Sequence, residues 1–335
     1  MQTGEIEVVP LAAESLGVRS FCTLVKTPDI HMVLDPSAAL AMRERFEPHP
    51  IEYQTLIKSL ERIFVESRKA DVLSVSHYHY DHVSPGFTDF RYNLSSREEL
   101  QRLFDGKVIL AKDNRDNINP SQRRRGFYFE KDVQPITEKI HWSDGETFEF
   151  GATKVVCSKP LSHGPSNTKL GYVVATSIEH EGHSVLFAPD LQGPTVQDDL
   201  EYIISTSPDI LLVGGPPIYL RRFEEHHRQS ASLSLTRLAT ELPLVVVDHH
   251  LMRSTEWLDW LRPIRAAAES AGNRIVSVAE SLEIENRCLE SMRAFLYSEY
   301  PPSSDFIHWT ESTDDYKKNN LPPLNDTALD MGRTS

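Results

Sequence analysis

The stretch that most constrains this chain is residues 71–82, DVLSVSHYHYDH. Val72, Leu73 and Val75 make an apolar run that reads as a buried strand. Where the run ends, His77, His79, Asp81 and His82 follow within six residues. In an extended segment, residues two apart leave the same side of the chain, so the rings of His77 and His79 share a face. Asp81 continues that alternation, and His82 requires the chain to turn. Imidazole and carboxylate are the ligands that divalent transition metals favour. The spacing predicts a metal site at a strand end, with donors enough for two ions. A histidine-rich loop without function would account for one or two of these residues. It accounts poorly for a spaced set of four directly after a strand.

The same event recurs along the chain. HMVLDP closes on Asp35, PLSHGP places His163 just past the strand TKVVCSK, HSVLFAPD closes on Asp190, and LPLVVVDHH closes on Asp248, His249 and His250. Taken alone, Asp35 reads more simply as a cap for the next turn. Taken together, these endings predict strand ends that converge on one rim. His249 and His250 are adjacent and would face opposite sides of a strand, so one of them is expected to ligate. His249, which directly follows the apolar run, is the better placed.

Between these points the patterning predicts strands at 5–9, 19–26, 31–36, 71–76, 107–112 and 208–217. Helices are predicted at 38–46, 50–69, 96–104, 196–206, 223–241, 255–271 and 284–300. Residues 113–126 read as a polar loop with a basic cluster, Arg123, Arg124 and Arg125. Asp144-Gly145 reads as the turn of a hairpin between IHW and TFEF. GYVVATSIE and HSVLFAPD read as an antiparallel pair turning at Glu181-Gly182. Interleaved strands and helices predict a layered α/β body, with residues 1–298 as one domain. Residues 299–335 are polar and punctuated by proline, and predict a largely extended tail without chemistry of its own. Phe306, Trp309 and Tyr316 are its points of attachment to the body.

Composition narrows the function classes. Lys+Arg is 35 against 49 Asp+Glu, a formal charge of −14, which repels polyanions and argues against nucleic acid as a partner. Cys22, Cys157 and Cys288 lie far apart and form no CxxC pair, so reduced thiols and a cytoplasmic location are expected. The start, MQTGEIEVVP, has neither the basic opening nor the long apolar run of a signal peptide. Nothing approaches the ~18 apolar residues of a membrane helix. The expected partner is a small-molecule substrate; oligomeric state is not encoded in any pattern here.

The order Asp35, HYHYDH, His163, Asp190, His249 resembles the metallo-β-lactamase superfamily over roughly residues 5–295. The segments NINPSQRRR, SHGP, PDLQGP, GGPP and DHHLMR are similar to an uncharacterised subgroup of predicted metal-dependent hydrolases. The resemblance implies an α/β (α+β) fold, a four-layer αββα sandwich with two mixed sheets, helices outside and metals at one edge. It implies a first ion held by His77, His79 and His163, and a second held by Asp81, His82 and either His249 or His250. Asp190 would bridge them and Asp35 would support the site from behind. The implied cofactors are two divalent ions, zinc first, with iron or manganese as alternatives. Asp81, Asp190 and His249 would have catalytic parts. No cysteine stands at a ligand position, which excludes the β-lactamases with a Cys ligand. His79 stands where the flavodiiron branch has Glu, which disfavours oxygen chemistry.

The implied activity is hydrolysis of a small ester-like or anionic substrate. The alternatives are a phosphodiesterase or nuclease, and a non-catalytic metal-binding regulatory protein. Tyr78, Asn117, Arg123, Arg124 and Gly215 are candidate substrate contacts: two motif neighbours or loop residues, two guanidinium forks suited to anions, and a backbone open to close approach. His226 and His227 read as exposed histidines of a polar helix.

Overall fold

In the computed structural model, which describes residues 1–166 and 169–324, two seven-stranded mixed sheets stack face to face. The first takes its strands in chain order: β1 (Gln2–Thr3), β2 (Ile6–Pro10), β3 (Thr23–Lys26), β4 (His31–Leu34), β5 (Val72–Val75), β6 (Val108–Ala111) and β7 (Lys139–Trp142). The strands are antiparallel as far as β4 and parallel from β4 to β7. The second half of the chain repeats this plan. Its strands are β8 (Thr147–Phe150), β9 (Thr153–Cys157), β12 (Thr176–His180), β13 (His183–Ala188), β14 (Ile210–Gly214), β15 (Leu244–Asp248) and β16 (Arg274–Val276). Pairing is antiparallel up to β13 and parallel beyond it. A small pair, β10 (Leu161–Ser162) and β11 (Tyr172–Val173), stands apart from both sheets.

The two-residue side-chain period sorts each sheet into two faces. In the first sheet, Leu24, Val33, Leu73 and Ile109 lie in one cross-strand row. That row packs outward on α1 (Pro50–Lys69), α2 (Arg97–Phe104) and α3 (Pro120–Val133), through Leu56, Ile63, Phe104 and Phe129. The next row, with Val25, Met32 and Val72, faces the second sheet. There it meets Phe187, Leu212 and Val246. The outer row of the second sheet, Leu186, Leu211 and Val245, packs on α4 (Gln197–Thr206), α5 (Glu225–Glu241) and α6 (Trp257–Ser270). The layers are therefore helix, sheet, sheet, helix: the αββα sandwich that the resemblance implies.

Several expectations are overturned. Residues 38–46 form no helix, because Ala39 is tied to Arg19 by an isolated bridge and Glu44 and Arg45 sit at φ 50° and 73°. The basic stretch expected as loop is largely helical: α3 begins at Pro120, with Asn119 accepting from Gln122 N at 2.8 Å as its N-cap. The Asp144-Gly145 turn makes no hairpin, since β7 pairs with β6 and β8 pairs with β9, so this turn carries the chain from one sheet to the other. Lys112 Nζ and the Asp113 amide hold the Asp144 carboxylate there, at 2.5 and 2.7 Å.

Of the helix expected at 284–300, only α8 (Arg293–Glu299) forms, after α7 (Val278–Ser281). Arg287 N donates to Ser15 O at 2.7 Å and keeps the preceding segment irregular. The C-terminal stretch is not extended where it is described: α9 (Ser304–Glu311) and α10 (Asp314–Asn319) follow α8. Phe306 and Trp309 are buried, their ring centroids 5.6 and 5.0 Å from that of Tyr53. The rest of the predicted tail, 325–335, lies outside the described residues. Among the described residues no helix is long and apolar enough to cross a membrane.

Candidate metal centre

Parallel strands deliver their next residues to the same sheet edge, and open α/β sheets build their sites there. Asp35 follows β4, His77 follows β5, Asp190 follows β13 and His249 follows β15. Three of these carry backbone strain: Asp35, Asp190 and His249 have φ of 50°, 52° and 65°. Left-handed non-glycine residues cost on the order of 1–3 kcal/mol each and persist where surroundings over-determine them. Each is held here. The carboxylate of Asp35 accepts from Ser76 N at 2.7 Å and from Ser76 Oγ at 2.6 Å. Asp190 packs on Gly214, where a Cβ would come within 2.6 Å of the Asp190 nitrogen. The His249 ring is tied through Nδ1 to Glu14 Oε2 at 2.8 Å.

These contacts also aim the rings. Ser76 Oγ donates to Asp35, which leaves it to accept from Nδ1 of His77 at 2.9 Å. His82 Nδ1 lies 2.7 Å from Oδ2 of Asp35, the oxygen that also accepts from Ser76 Oγ. With Nδ1 engaged on His77, His82 and His249, Nε2 of each ring points into the centre. This is the arrangement by which a carboxylate fixes the tautomer of a ligating histidine.

All of them surround Asp190. Its Oδ2 is 2.9 Å from His163 Nε2, 3.1 Å from His77 Nε2, 3.3 Å from His82 Nε2 and 3.9 Å from His79 Nδ1. Its Oδ1 is 2.8 Å from His249 Nε2 and 3.5 Å from His250 Nε2. Two donor groups share this neighbourhood, with ligand atoms within 4.8 Å of one another in each. One is His77, His79, His163 and Asp190; the other is Asp81, His82 and His249. A third grouping, Asp190, His249 and His250, places both adjacent histidines at the centre. They do so because β15 ends at Asp248 and residues His249–Arg253 form a 3-10 turn, so the strand alternation expected to separate them does not extend that far.

The electrostatics follow from burial. Burial pushes the carboxyls of Asp81 and Asp190 up, and the surrounding imidazoles outweigh it, holding both well below the usual carboxylate range. Burial lowers His77, His79 and His250. It also opposes protonation of His82 and His249, but the carboxylates facing them raise both, His249 to about 9. Both oxygens of Asp190 and both ring nitrogens of His250 are buried and lack a hydrogen-bond partner among the described residues. A buried ionised acceptor left without a partner costs several kcal/mol. Cations between these atoms would satisfy both oxygens of Asp190 and the one lone pair of the His250 ring, so the donor set fits divalent metal ions.

Three residues to which the sequence reading gave no part complete the centre. Glu14, on a 3-10 turn at Glu14–Leu16, is buried and also accepts from Arg253 Nε at 2.6 Å. Arg253 Nη2 then reaches Asp81 Oδ2 at 3.2 Å. Arg253 lies inside the noted DHHLMR segment, but nothing local marks Glu14. Gln192, at φ 57°, places its amide 3.5 Å from His163 Nδ1.

The candidate substrate contacts divide. Tyr78 is fully buried, packs on Phe129 and donates its hydroxyl to Lys112 O, so it is a core residue. Asn117 and Arg123 are exposed and stand outside the cleft over the centre, and Arg123 donates to Arg115 O. Gly215 gives no access to a ligand, since a Cβ there would lie 2.5 Å from Leu251 Cβ. Arg124 lines a different cleft. The cleft over the centre, about 480 Å³, has His79, His163 and His250 at its base and Arg19, Lys169, Arg222 and Arg253 around it. Tyr219, Phe223 and His227 form part of its wall; His227, read from the sequence as an exposed histidine, is half-buried.

No family profile matches the chain. It is 38% identical over 297 residues to the UPF0282 protein MK0213 of Methanopyrus kandleri, covering 88% of this chain and 100% of that one. Among solved structures it is similar to CmlA, a diiron β-hydroxylase from Streptomyces venezuelae, with a TM-score of 0.47 and 11% identity. That match covers 83% of this chain and spans about half, 53%, of CmlA. It is also similar to Tm1679, a metal-dependent hydrolase of the β-lactamase superfamily, with a TM-score of 0.45 and 11% identity, covering 81% of this chain and 95% of that one.

Proposed function

The chain belongs to the UPF0282 family, and we propose that it is a metal-dependent hydrolase with a dinuclear centre, acting on a small anionic or ester-like substrate. The observation that carries this reading is Asp190: a buried carboxylate with no hydrogen-bond partner among the described residues, ringed by imidazole nitrogens. His77, His79 and His163 would hold one ion, Asp81, His82 and His249 the other, and Asp190 both. The all-nitrogen and oxygen donor set suits zinc, with iron and manganese as alternatives. When bound, such ions supply Lewis acidity and bring the pKa of water towards neutrality.

The chain's own residues do the rest. Asp81 and Asp190 offset the ions' charge and accept protons in hydrogen bonds at the reacting face. Asp35 and Glu14 keep Nε2 of His82 and His249 aimed inward and Nδ1 protonated. Arg253, fixed by Glu14, steadies Asp81. Arg222 and Lys169 have no carboxylate partner among the described residues and line the cleft, so they would hold an anionic substrate group. Tyr219 and Phe223 would wall it from water. The cleft's volume suits a small molecule better than a polymer. The three cysteines are buried free thiols, in keeping with work in the cytoplasm.

A phosphodiester is the second substrate class, favoured by the cationic rim. The test is elemental analysis of purified protein, followed by turnover on chromogenic phosphodiesters, lactones and thioesters. Two bound ions per chain and turnover on one class are expected. A protein that binds no metal would sink the reading; full occupancy without any turnover would replace it with a regulatory metal-binding role.

A further inference from the structure

The basic stretch Arg123–Arg125 is not used by the centre, and it leads to a second cleft. We propose that this cleft binds a small planar aromatic anion, independently of the reaction proposed above. It encloses about 530 Å³ and shares no lining residue with the cleft over the metal centre. Pockets of roughly 300–1,000 Å³ are of small-molecule size.

Its chemistry is specific. Tyr80 and Phe87 meet edge to face, with centroids 5.5 Å apart and planes at 79°. Tyr128 and Phe129 add aromatic surface from α3. Phe87 and Tyr128 remain 50% and 49% exposed, a large apolar cost to leave in water at adjoining positions. The Arg125 guanidinium lies 4.3 Å from the Tyr80 centroid, and its Nη1 donates to Tyr78 O at 3.3 Å, so the cation is fixed against the aromatic wall. Arg124 stands beside it with no carboxylate partner among the described residues. Asp132, the acidic residue of the lining, is already neutralised by Arg97 at 2.7 Å. The cleft therefore offers ring-stacking surface and unspent positive charge together. The occupant that matches both is an aromatic ring bearing a carboxylate, sulfonate or phosphate.

The position matters for the centre. Tyr80 stands between His79 and Asp81, and its carbonyl accepts from Ser37 Oγ at 2.7 Å. A ligand stacked on Tyr80 would press on the back of the loop that carries the metal-facing residues.

The test uses naphthalene-2-sulfonate as the probe, titrated into the full chain as purified and followed by its fluorescence. One equivalent is expected to bind. Arg124→Glu, at an exposed position, should weaken binding at least about tenfold, with an unchanged circular dichroism spectrum. Ser121→Trp, which fills the cleft from the exposed start of α3, should block binding by a second route. Arg222→Glu, in the other cleft, should leave it unchanged, and methanesulfonate should not compete. Failure of the probe to bind at millimolar concentration would overturn the proposal. So would undiminished binding to both Arg124→Glu and Ser121→Trp, or loss of binding in Arg222→Glu.

Discussion

Glu14 Oε2 lies 2.8 Å from Nδ1 of His249, a residue 235 positions further along the chain. Both side chains are buried. The same carboxylate accepts from Arg253, whose guanidinium reaches Asp81. One glutamate thus orients one ring of the candidate centre and, through an arginine, steadies one of its carboxylates. Groups that orient a ligand in this way typically contribute about 10- to 100-fold to metal affinity. Glu14→Gln, which keeps the side chain's size, is expected to weaken metal binding within that range. Competition against a chelator measures it, and an unchanged affinity would show that the contact does not act on the centre.

His79 is the most exposed ring of the cluster, with its side chain 23% accessible against 0–1% for His77, His82 and His163. Its loss should disturb the core least. His79→Ala is therefore expected to lose bound metal and activity while keeping its folded spectrum. Asp190→Asn should lower the occupancy of both ions, since Asp190 faces rings of both groups of donors, with Oδ2 2.9 Å from His163 Nε2 and Oδ1 2.8 Å from His249 Nε2. Elemental analysis of the purified variants decides, and full metal content in either one contradicts the assignment.

Gly214 is the space that Asp190 occupies. A Cβ there would stand 2.6 Å from the Asp190 nitrogen and 3.0 Å from its Cα, both backbone atoms that cannot rotate away. Overpacking of this kind costs about 1–3 kcal/mol. Gly214→Ala should show that loss in urea unfolding, together with weaker metal binding. Full stability would mean that the Asp190 loop shifts without penalty.

Glu290 carries the pH prediction. Burial would raise its carboxyl, but the Arg19 guanidinium, bonded at 2.6 and 2.7 Å, outweighs that and holds it at about 2. A carboxyl depressed on folding stabilises the native state above its unfolded pKa, and that contribution fades as pH falls through the folded pKa. The window here runs from about 4.5 down to about 2. Glu290→Gln should therefore be less stable than the parent at pH 7, by up to about 3 kcal/mol, and the gap should narrow towards pH 3. A gap independent of pH would assign the loss to packing alone.

α3 illustrates why part of the fold escaped the sequence pattern. Its buried residues are Gln122, Gly126, Phe129, Asp132 and Val133, so three of the five positions that should be apolar are an amide, a glycine and a carboxylate. Gln122 accepts from Tyr78 N and donates to Leu170 O. A Cβ at Gly126 would lie 2.8 Å from the Tyr78 ring. The helix packs in part on the backbone and ring of the motif loop, and only Phe129 and Val133 of its buried face join the hydrocarbon layer, so it lacks the full apolar stripe that would have announced it. α9 is similar: Phe306 and Trp309 dock on Tyr53 as expected of them, while Tyr316 stays exposed, but two rings in a polar segment carry no period that would have announced a helix.

The sequence by itself determined the candidate ligands and the layered architecture around them. Strand alternation and the placement of His or Asp at a strand's end are local properties, legible within a dozen residues. Tertiary structure alone decided which atoms of those rings face inward, that His249 and His250 both reach Asp190, and that Glu14, Arg253 and Gln192 belong to the centre. It also separated Arg124 from the cleft it was expected to serve. Such partnerships join segments up to 239 residues apart, as between Glu14 and Arg253. No short-range pattern encodes a contact that exists only once two sheets have closed on each other.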